Sequence, residues 1–266
     1  MTAAEVFDHT NLLIIDPYKI DDTPNVGMNS AAYVQSVQAI ITSIKATQVG
    51  DALLRSIRFH GKWVRIWARE KLLLMDSSVL GAGFRDVEEC AGRELLNKIT
   101  GGMIPMPNVG AAVNFFPNFC RTGNACQVDF LKRNEYIPTA ESVLVHELVH
   151  AFRRVSRKFN DGMGQTFSGP MAKYTGKEEL YAVIVENMFQ SEVKGELRGE
   201  HLHHNRLDPR FSSSENFFKQ DHKVFETIET FCTENKGLTR MLARINVAFN
   251  PIAVYLKDPR AAKALG

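Results

Sequence analysis

The chain has 266 residues, enough to bury a sizeable core in one large domain or two closely packed lobes. Apolar residues make up 44% and charged residues 23% of the chain, an ordinary globular composition that excludes a largely disordered protein. The formal net charge is +2, and acidic and basic residues are interspersed without a basic stripe, so we expect no nucleic-acid partner. Every apolar run is shorter than the roughly 18 residues that a membrane span needs.

The first residues lack the charged segment followed by an apolar one that marks a cleavable signal peptide. The sequence therefore predicts a cytoplasmic protein, unless a specialised secretion system exports it. Among the four cysteines only Cys120 and Cys126 are close together, and their spacing fits no common zinc motif. Reduced thiols and a Cys120–Cys126 disulfide both stay open, as does the oligomeric state.

The first half of the chain combines strand and helix patterns. Period-two alternation and short apolar runs indicate strands, whereas apolar residues at spacings of three and four indicate helices. In chain order we expect a strand at 12–15, two helices within 31–58 divided at Gly50, a strand at 62–67, a short helix within 85–96 and a strand at 111–116.

The second half is mainly helical. One helix is expected from about 138 to 160, a second from about 177 to 193, and further helices from 216 onward with breaks at Gly237 and at Asn250-Pro251. Strands and helices followed by mostly helices predict an α+β fold with a small N-terminal mixed sheet. We expect a single domain over residues 1–266, with an α+β lobe at 1–162, a helical lobe at 163–266 and a cleft between them.

Residues 146–150 read His-Glu-Leu-Val-His, which is the H-E-x-x-H pattern of zinc hydrolases. Residues four apart lie on the same face of a helix, so the imidazoles of His146 and His150 can converge on one ion. Glu147 points away from that point and can reach a water molecule on the ion, which makes it the expected general base. The sequence therefore predicts Zn²⁺ as the cofactor.

The residues around the motif favour a metal site over a chance match. Thr139 is a good N-cap and Glu141 suits the first turn of a helix. From Val143 to Phe152 the helix is apolar on nearly every side. Two histidines and a glutamate buried there without partners would be unfavourable, and a bound ion removes that penalty for all three.

A third protein ligand is expected on the following helix. Residues 151–162 lack the extension of the metzincins. Thr175 and Glu178 have the form of a capping box, which leaves Glu179, about 100° further around, to face the zinc helix. Glu186 lies two turns further along the same face and is the alternative ligand, or a group that supports a ligand. We predict Glu179 as the third ligand.

These two segments resemble the effector-type zincins of bacteria, which include the NleD-like metalloproteases. The resemblance rests on His146–Phe152 and Lys177–Glu192, about 50 residues including the loop between them. The glutamate pair on the second helix is also similar to that of the clostridial neurotoxin light chains. In those families the second glutamate of the pair is the third zinc ligand, which matches Glu179. The resemblance implies a zincin-like fold and a peptidase delivered to another cell, acting on a protein or peptide.

Zincins commonly place a Tyr, His or Arg opposite the base to stabilise the oxyanion of the transition state. The candidates in this chain are Tyr174, Tyr181, Arg198, His201 and His203. The histidines at 201, 203 and 204 have no regular ligand spacing with distant partners, so we interpret them as a solvated turn rather than a second metal site.

Three functions are compatible with the motif. The first is a zinc peptidase in which Glu147 activates a zinc-bound water. The second is an inactive zinc-stabilised binding protein, and the third is a non-peptidase zinc hydrolase on the same scaffold. Structural zinc sites fill all four positions with protein ligands, often cysteines, and here the cysteines lie far from the motif in sequence. Glu147 would also have no purpose in such a site, so we predict the peptidase.

Overall fold

The computed structural model describes residues 4–7, 11–15, 30–67, 82–85, 109–115, 117, 136–159, 167–201 and 205–259. The predictions for a helix within 85–96, for the Cys120–Cys126 pair and for His203 fall outside these residues. Across the described ranges, no helix combines the length and the apolar character that crossing a membrane requires.

A mixed sheet occupies the first half of the described chain. Its strands are β1 (Ala4–Phe7), β2 (Leu12–Ile15), β3 (Trp63–Trp67), β4 (Ala82–Arg85) and β5 (Val109–Phe115). They lie in the order β1-β2-β3-β5-β4, with β2, β3 and β5 parallel and the two outer strands antiparallel to their neighbours. Strands β2, β3 and β5 confirm the strands predicted at 12–15, 62–67 and 111–116 as far as the described residues reach. Strands β1 and β4 were not predicted, because their four residues show neither the continuous apolar run of β2 nor a clear alternation.

Two helices, α1 (Ser30–Lys45) and α2 (Gln48–Phe59), follow β2. The prediction that Gly50 divides them is wrong. The helices are separated at Ala46 and Thr47, and the Thr47 hydroxyl accepts the backbone N–H of Gly50 as the N-cap of α2. A side chain at Gly50 would collide with the carbonyl oxygen of Ile44, so the glycine allows the start of α2 to approach the end of α1 closely.

Helix α3 (Ala140–Val155) carries the H-E-x-x-H motif and lies between the sheet and helix α4 (Lys177–Glu192). The predicted N-cap is confirmed, because Thr139 and Ser142 exchange hydrogen bonds in a capping box. Every residue from Ser142 to Arg153 is buried, as the apolar pattern predicts. The motif therefore lies on a rigid helix inside the core.

The rest of the described chain is mainly helical. It contains the helices α5 (Ser214–Phe217), α6 (His222–Glu234), α7 (Lys236–Leu242) and α8 (Pro251–Lys257), and short 3-10 turns at Gly169–Tyr174, Pro209–Phe211 and Phe218–Gln220. The break at Asn250-Pro251 is confirmed, with Asn250 as the N-cap of α8. The break at Gly237 is wrong, because that residue lies within α7. The chain breaks at Asn235, whose side chain donates to the carbonyl of Phe231 at 2.7 Å.

The architecture confirms the α+β class. Buried apolar side chains form a continuous cluster from β2, β3 and β5 through α1–α4 to the C-terminal helices. Helices α3 and α4 contribute to this cluster along most of their length, so the elements that carry the motif are also the centre of the core. The single domain, and its division into lobes at 162 and 163, stay predictions.

Candidate metal centre

Helix α3 brings the two histidines of the motif together. His146 and His150 are one helical turn apart, and their ring centroids are 5.0 Å apart. Their Nε2 atoms approach to 3.3 Å. Both side chains are almost completely buried, which limits the directions in which the rings can turn.

Glu179 lies in the first turn of α4, opposite these two rings. Its Oε2 atom is 3.1 Å from Nε2 of His146 and 3.3 Å from Nε2 of His150. Ligand atoms at 2.0–2.1 Å from a tetrahedral ion lie about 3.4 Å from one another. The three predicted ligand atoms therefore have nearly the spacing that a zinc ion requires.

The donor atoms also fit a cation chemically. Two imidazole nitrogens and one carboxylate oxygen are typical zinc ligands. The two Nε2 atoms face each other and the same carboxylate oxygen, so hydrogens on both would point into one small space. A shared cation removes this conflict, which is why we regard these residues as a suitable zinc site.

The capping box expected at the start of α4 is wrong. The N-cap is Gly176 and has no side-chain hydrogen bond, while the Thr175 hydroxyl donates to the carbonyl of Tyr174. Glu178 instead accepts two hydrogen bonds from the buried guanidinium of Arg153, at 2.7 and 3.1 Å. The two glutamates still diverge, since Glu179 faces the histidines, but an ion pair rather than a cap holds Glu178 in place.

Glu186 contacts the other side of the His146 ring. Its Oε2 atom is 2.9 Å from Nδ1 of His146, and it accepts hydrogen bonds from Arg198 and from the Tyr136 hydroxyl. Burial by itself would raise the pKa of Glu186, but Arg198 and His146 lower that pKa to about 2. A carboxylate in this position fixes the ring so that Nε2 faces Glu179.

The remaining pKa shifts follow from burial and from these carboxylates. Burial favours neutral His146, yet hydrogen bonds to Glu179 and Glu186 raise its pKa to about 9. Burial raises the pKa of Glu147, and the nearby His146 and His150 oppose that shift. A buried carboxyl group with a raised pKa is suited to accepting a proton near neutral pH.

Two of the candidates for oxyanion stabilisation are engaged elsewhere. The hydroxyl of Tyr174 is buried and donates to Gln220 at 3.3 Å. The ring of Tyr181 is buried between the guanidinium of Arg153, 4.8 Å from its centroid, and the ring of Phe231. Neither tyrosine faces the histidine pair through any of these contacts.

His201 lies at the candidate metal centre, beside Glu179 and His146. Its Nε2 atom is 3.2 Å from Oε2 of Glu179, and its ring lies nearly parallel to that of His146, with centroids 5.8 Å apart. Arg198 does not reach the same point, because its guanidinium is held by Glu186 and by two backbone carbonyls. Among the described residues, His146, Glu179 and His201 form a group that could hold a metal ion.

Residues 22–207 match the family model of Peptidase M91, which is described as an effector protein. The chain belongs to the Peptidase M91 family. The match includes the whole H-E-x-x-H helix and continues past His201, whereas helices α5–α8 lie beyond it. The predicted resemblance to NleD-like effector metallopeptidases is confirmed by this membership. No curated protein and no solved structure matches the chain.

Proposed function

We propose that this member of Peptidase M91 is a zinc-dependent peptidase. The observation that carries the proposal is the triangle of His146 Nε2, His150 Nε2 and Glu179 Oε2, with sides of 3.1–3.3 Å, beside the buried Glu147. Catalytic zinc sites of the zincin type use three protein ligands and a neighbouring glutamate. Family membership supports a peptidase and a protein substrate.

Each residue has a distinct role in this proposal. His146, His150 and Glu179 hold the ion, which when bound polarises the peptide carbonyl and lowers the pKa of water. Glu147 takes the proton from the attacking water and passes it to the leaving amine. Glu186 accepts the Nδ1 hydrogen of His146, so that Nε2 of that ring keeps its lone pair for the ion.

The place of action follows from the family rather than from the fold. The family model describes effector proteins, which act on targets outside the cell that makes them. We propose that the chain is secreted or injected and cleaves a protein of the recipient cell.

One observation favours a second candidate, a zinc-stabilised binding protein without activity. His201 also contacts Glu179, so four protein groups meet at the centre, and structural zinc sites are closed by four protein ligands. The two candidates differ in Glu147, which a structural site does not need.

Metal analysis combined with mapping of new protein N-termini tests the proposal. We expect about one zinc per chain in the wild type and in Glu147→Gln. We expect new N-termini only with the wild type, since loss of a general base lowers turnover by roughly 10²–10⁴-fold. Glu141→Gln, in the first turn of the same helix, is the matched control and keeps both properties. Identical cleavage by wild type and Glu147→Gln would contradict the mechanism.

A further inference from the structure

We propose that His201 is a fourth protein ligand in the substrate-free protein, and that it is the ligand displaced when the substrate and the attacking water enter the site. This inference rests on the proposed zinc site but not on the identity of the reaction. The metal centre then has two states: a closed state with His201 on the ion, and an open state in which His201 has left the fourth position.

His201 lies as close to Glu179 as the two motif histidines do. Its Nε2 atom is 3.2 Å from Oε2 of Glu179, between the 3.1 and 3.3 Å of the other two imidazoles. A group that only stabilises an oxyanion contacts the substrate oxygen at 2.7–3.1 Å and so lies roughly 4 Å or more from the ion. The distance between His201 and Glu179 fits a further ligand of the same ion.

Among these ligands, His201 has the side chain that can leave with the least disturbance of the core. His146 and His150 lie on a buried helix, and their side chains are each 5% exposed. The side chain of His201 is 33% exposed and lies outside the helices, so it can turn toward solvent without disturbing the core. Glu179, at 26% exposed, begins α4 and is fixed by that helix.

His146 and His201 differ in the hydrogen bond that holds the second ring nitrogen, Nδ1. Nδ1 of His146 is held by Glu186 at 2.9 Å, the arrangement that makes an imidazole a firm ligand. Nδ1 of His201 has the Thr175 hydroxyl at 3.5 Å, the outer limit of a hydrogen bond. The His201 ring is therefore the less firmly oriented of the two.

The backbone of His201 is nevertheless held in place. Its N–H donates to the carbonyl of Lys173 at 2.9 Å, and its carbonyl accepts from Arg198 at 3.0 Å. Arg198 also binds Glu186, which contacts His146. Rotation about the side-chain bonds of His201 can thus open the fourth position while the main chain stays still.

Cobalt-substituted protein tests this inference without a peptidase assay. Replacing zinc with Co²⁺ gives a visible absorption whose band positions and intensity depend on the ligand atoms around the ion. We expect His201→Ala to change this spectrum, because water takes the place of an imidazole nitrogen, and to lower Co²⁺ affinity about tenfold or more, at least the effect of losing an outer partner. His201→Gln provides a second variant of similar size, and His222→Ala, an exposed histidine, is the control.

Acetohydroxamate, a small metal chelator, then tests displacement. In the wild type it must compete with His201, so its apparent affinity is reduced by the fraction of protein in the open state. We expect both His201 variants to bind it more tightly than the wild type and His222→Ala. Equal spectra in wild type and variants would overturn the assignment of His201 as a ligand. A wild-type site that excludes acetohydroxamate would overturn displacement and favour a structural ion.

These outcomes are separable from those of the proposed function. A cobalt spectrum that changes in the His201 variants, with no detectable proteolysis by the wild type, would support His201 as a ligand and contradict the peptidase. Proteolysis that depends on Glu147, together with a cobalt spectrum unaffected by His201, would do the reverse.

Discussion

Helix α4 carries three glutamates whose carboxylates make different contacts, at positions 178, 179 and 186. Glu178 binds the guanidinium of Arg153, whereas Glu179 faces Nε2 of both motif histidines. Glu186 lies behind the His146 ring, on Nδ1. Because these contacts differ, we expect substitutions of the three residues to affect metal binding differently.

We expect Glu179→Gln to lower zinc affinity by more than about 100-fold, because it removes the charge of a direct ligand. Glu186→Gln should lower it by about 10–100-fold, the usual effect of losing a group that orients a ligand. Glu141→Gln, in the first turn of α3, is the control and should leave affinity nearly unchanged. Competition with a chromophoric chelator measures all three. A larger loss of zinc affinity for Glu186→Gln than for Glu179→Gln would show that Glu186 is the ligand and Glu179 the group that orients it.

At the scale of elements, Arg153 joins three helices. From the last turn of α3, its guanidinium binds Glu178 at the start of α4 and Glu234 at the end of α6. It also packs against the ring of Tyr181. Glu179 follows Glu178 on α4, so its position depends in part on the Arg153–Glu178 ion pair, which does not contact the metal centre.

We expect Arg153→Met to lower the free energy of unfolding by about 3 kcal/mol, the lower end for a broken buried ion pair. The lower end applies because Glu234 is 35% exposed and water can solvate it. Arg157→Met, at an exposed position two residues past α3, is the control and should stay within about 0.5 kcal/mol. Urea denaturation gives both values. A change as small as that of the control would show that the ion pair does not stabilise the helix packing.

The same elements show what the sequence can and cannot predict. Helices α3 and α4 were predicted because their apolar patterns are long, and the Thr139 cap was predicted because its signal is local. The role of Gly50 depends on Ile44, a neighbour across a helix junction, and local composition does not reveal it. The contact of His201 with Glu179 likewise depends on main-chain bonds to distant residues. The sequence therefore indicated His201 only as one of five candidates for oxyanion stabilisation.

At the scale of the whole molecule, the metal centre and the hydrophobic core share helices α3 and α4. The two helices are also joined by the ion pair of Arg153 with Glu178. The Tyr136 hydroxyl makes a second link, because it contacts Ser142 of α3 and Glu186 of α4. Tyr136 and Gln190 hydrogen-bond to each other in this network, and sequence patterns did not single out either. The scaffold therefore holds the ligands in position through contacts that need no ion.

Metal removal should consequently destabilise the protein without unfolding it. A ligand present at 100 times its Kd stabilises the folded state by about 2.7 kcal/mol. For a chain of this size that corresponds to a Tm lower by roughly 5–11 °C after chelation. Far-ultraviolet circular dichroism at 25 °C should stay unchanged, since the core contacts of α3 and α4 persist. Glu147→Gln should show the same shift in Tm, and the double variant His146→Ala, His150→Ala should show none. Unfolding on chelation at 25 °C would instead indicate a structural ion, and an unchanged wild-type Tm would indicate that no metal binds between these helices.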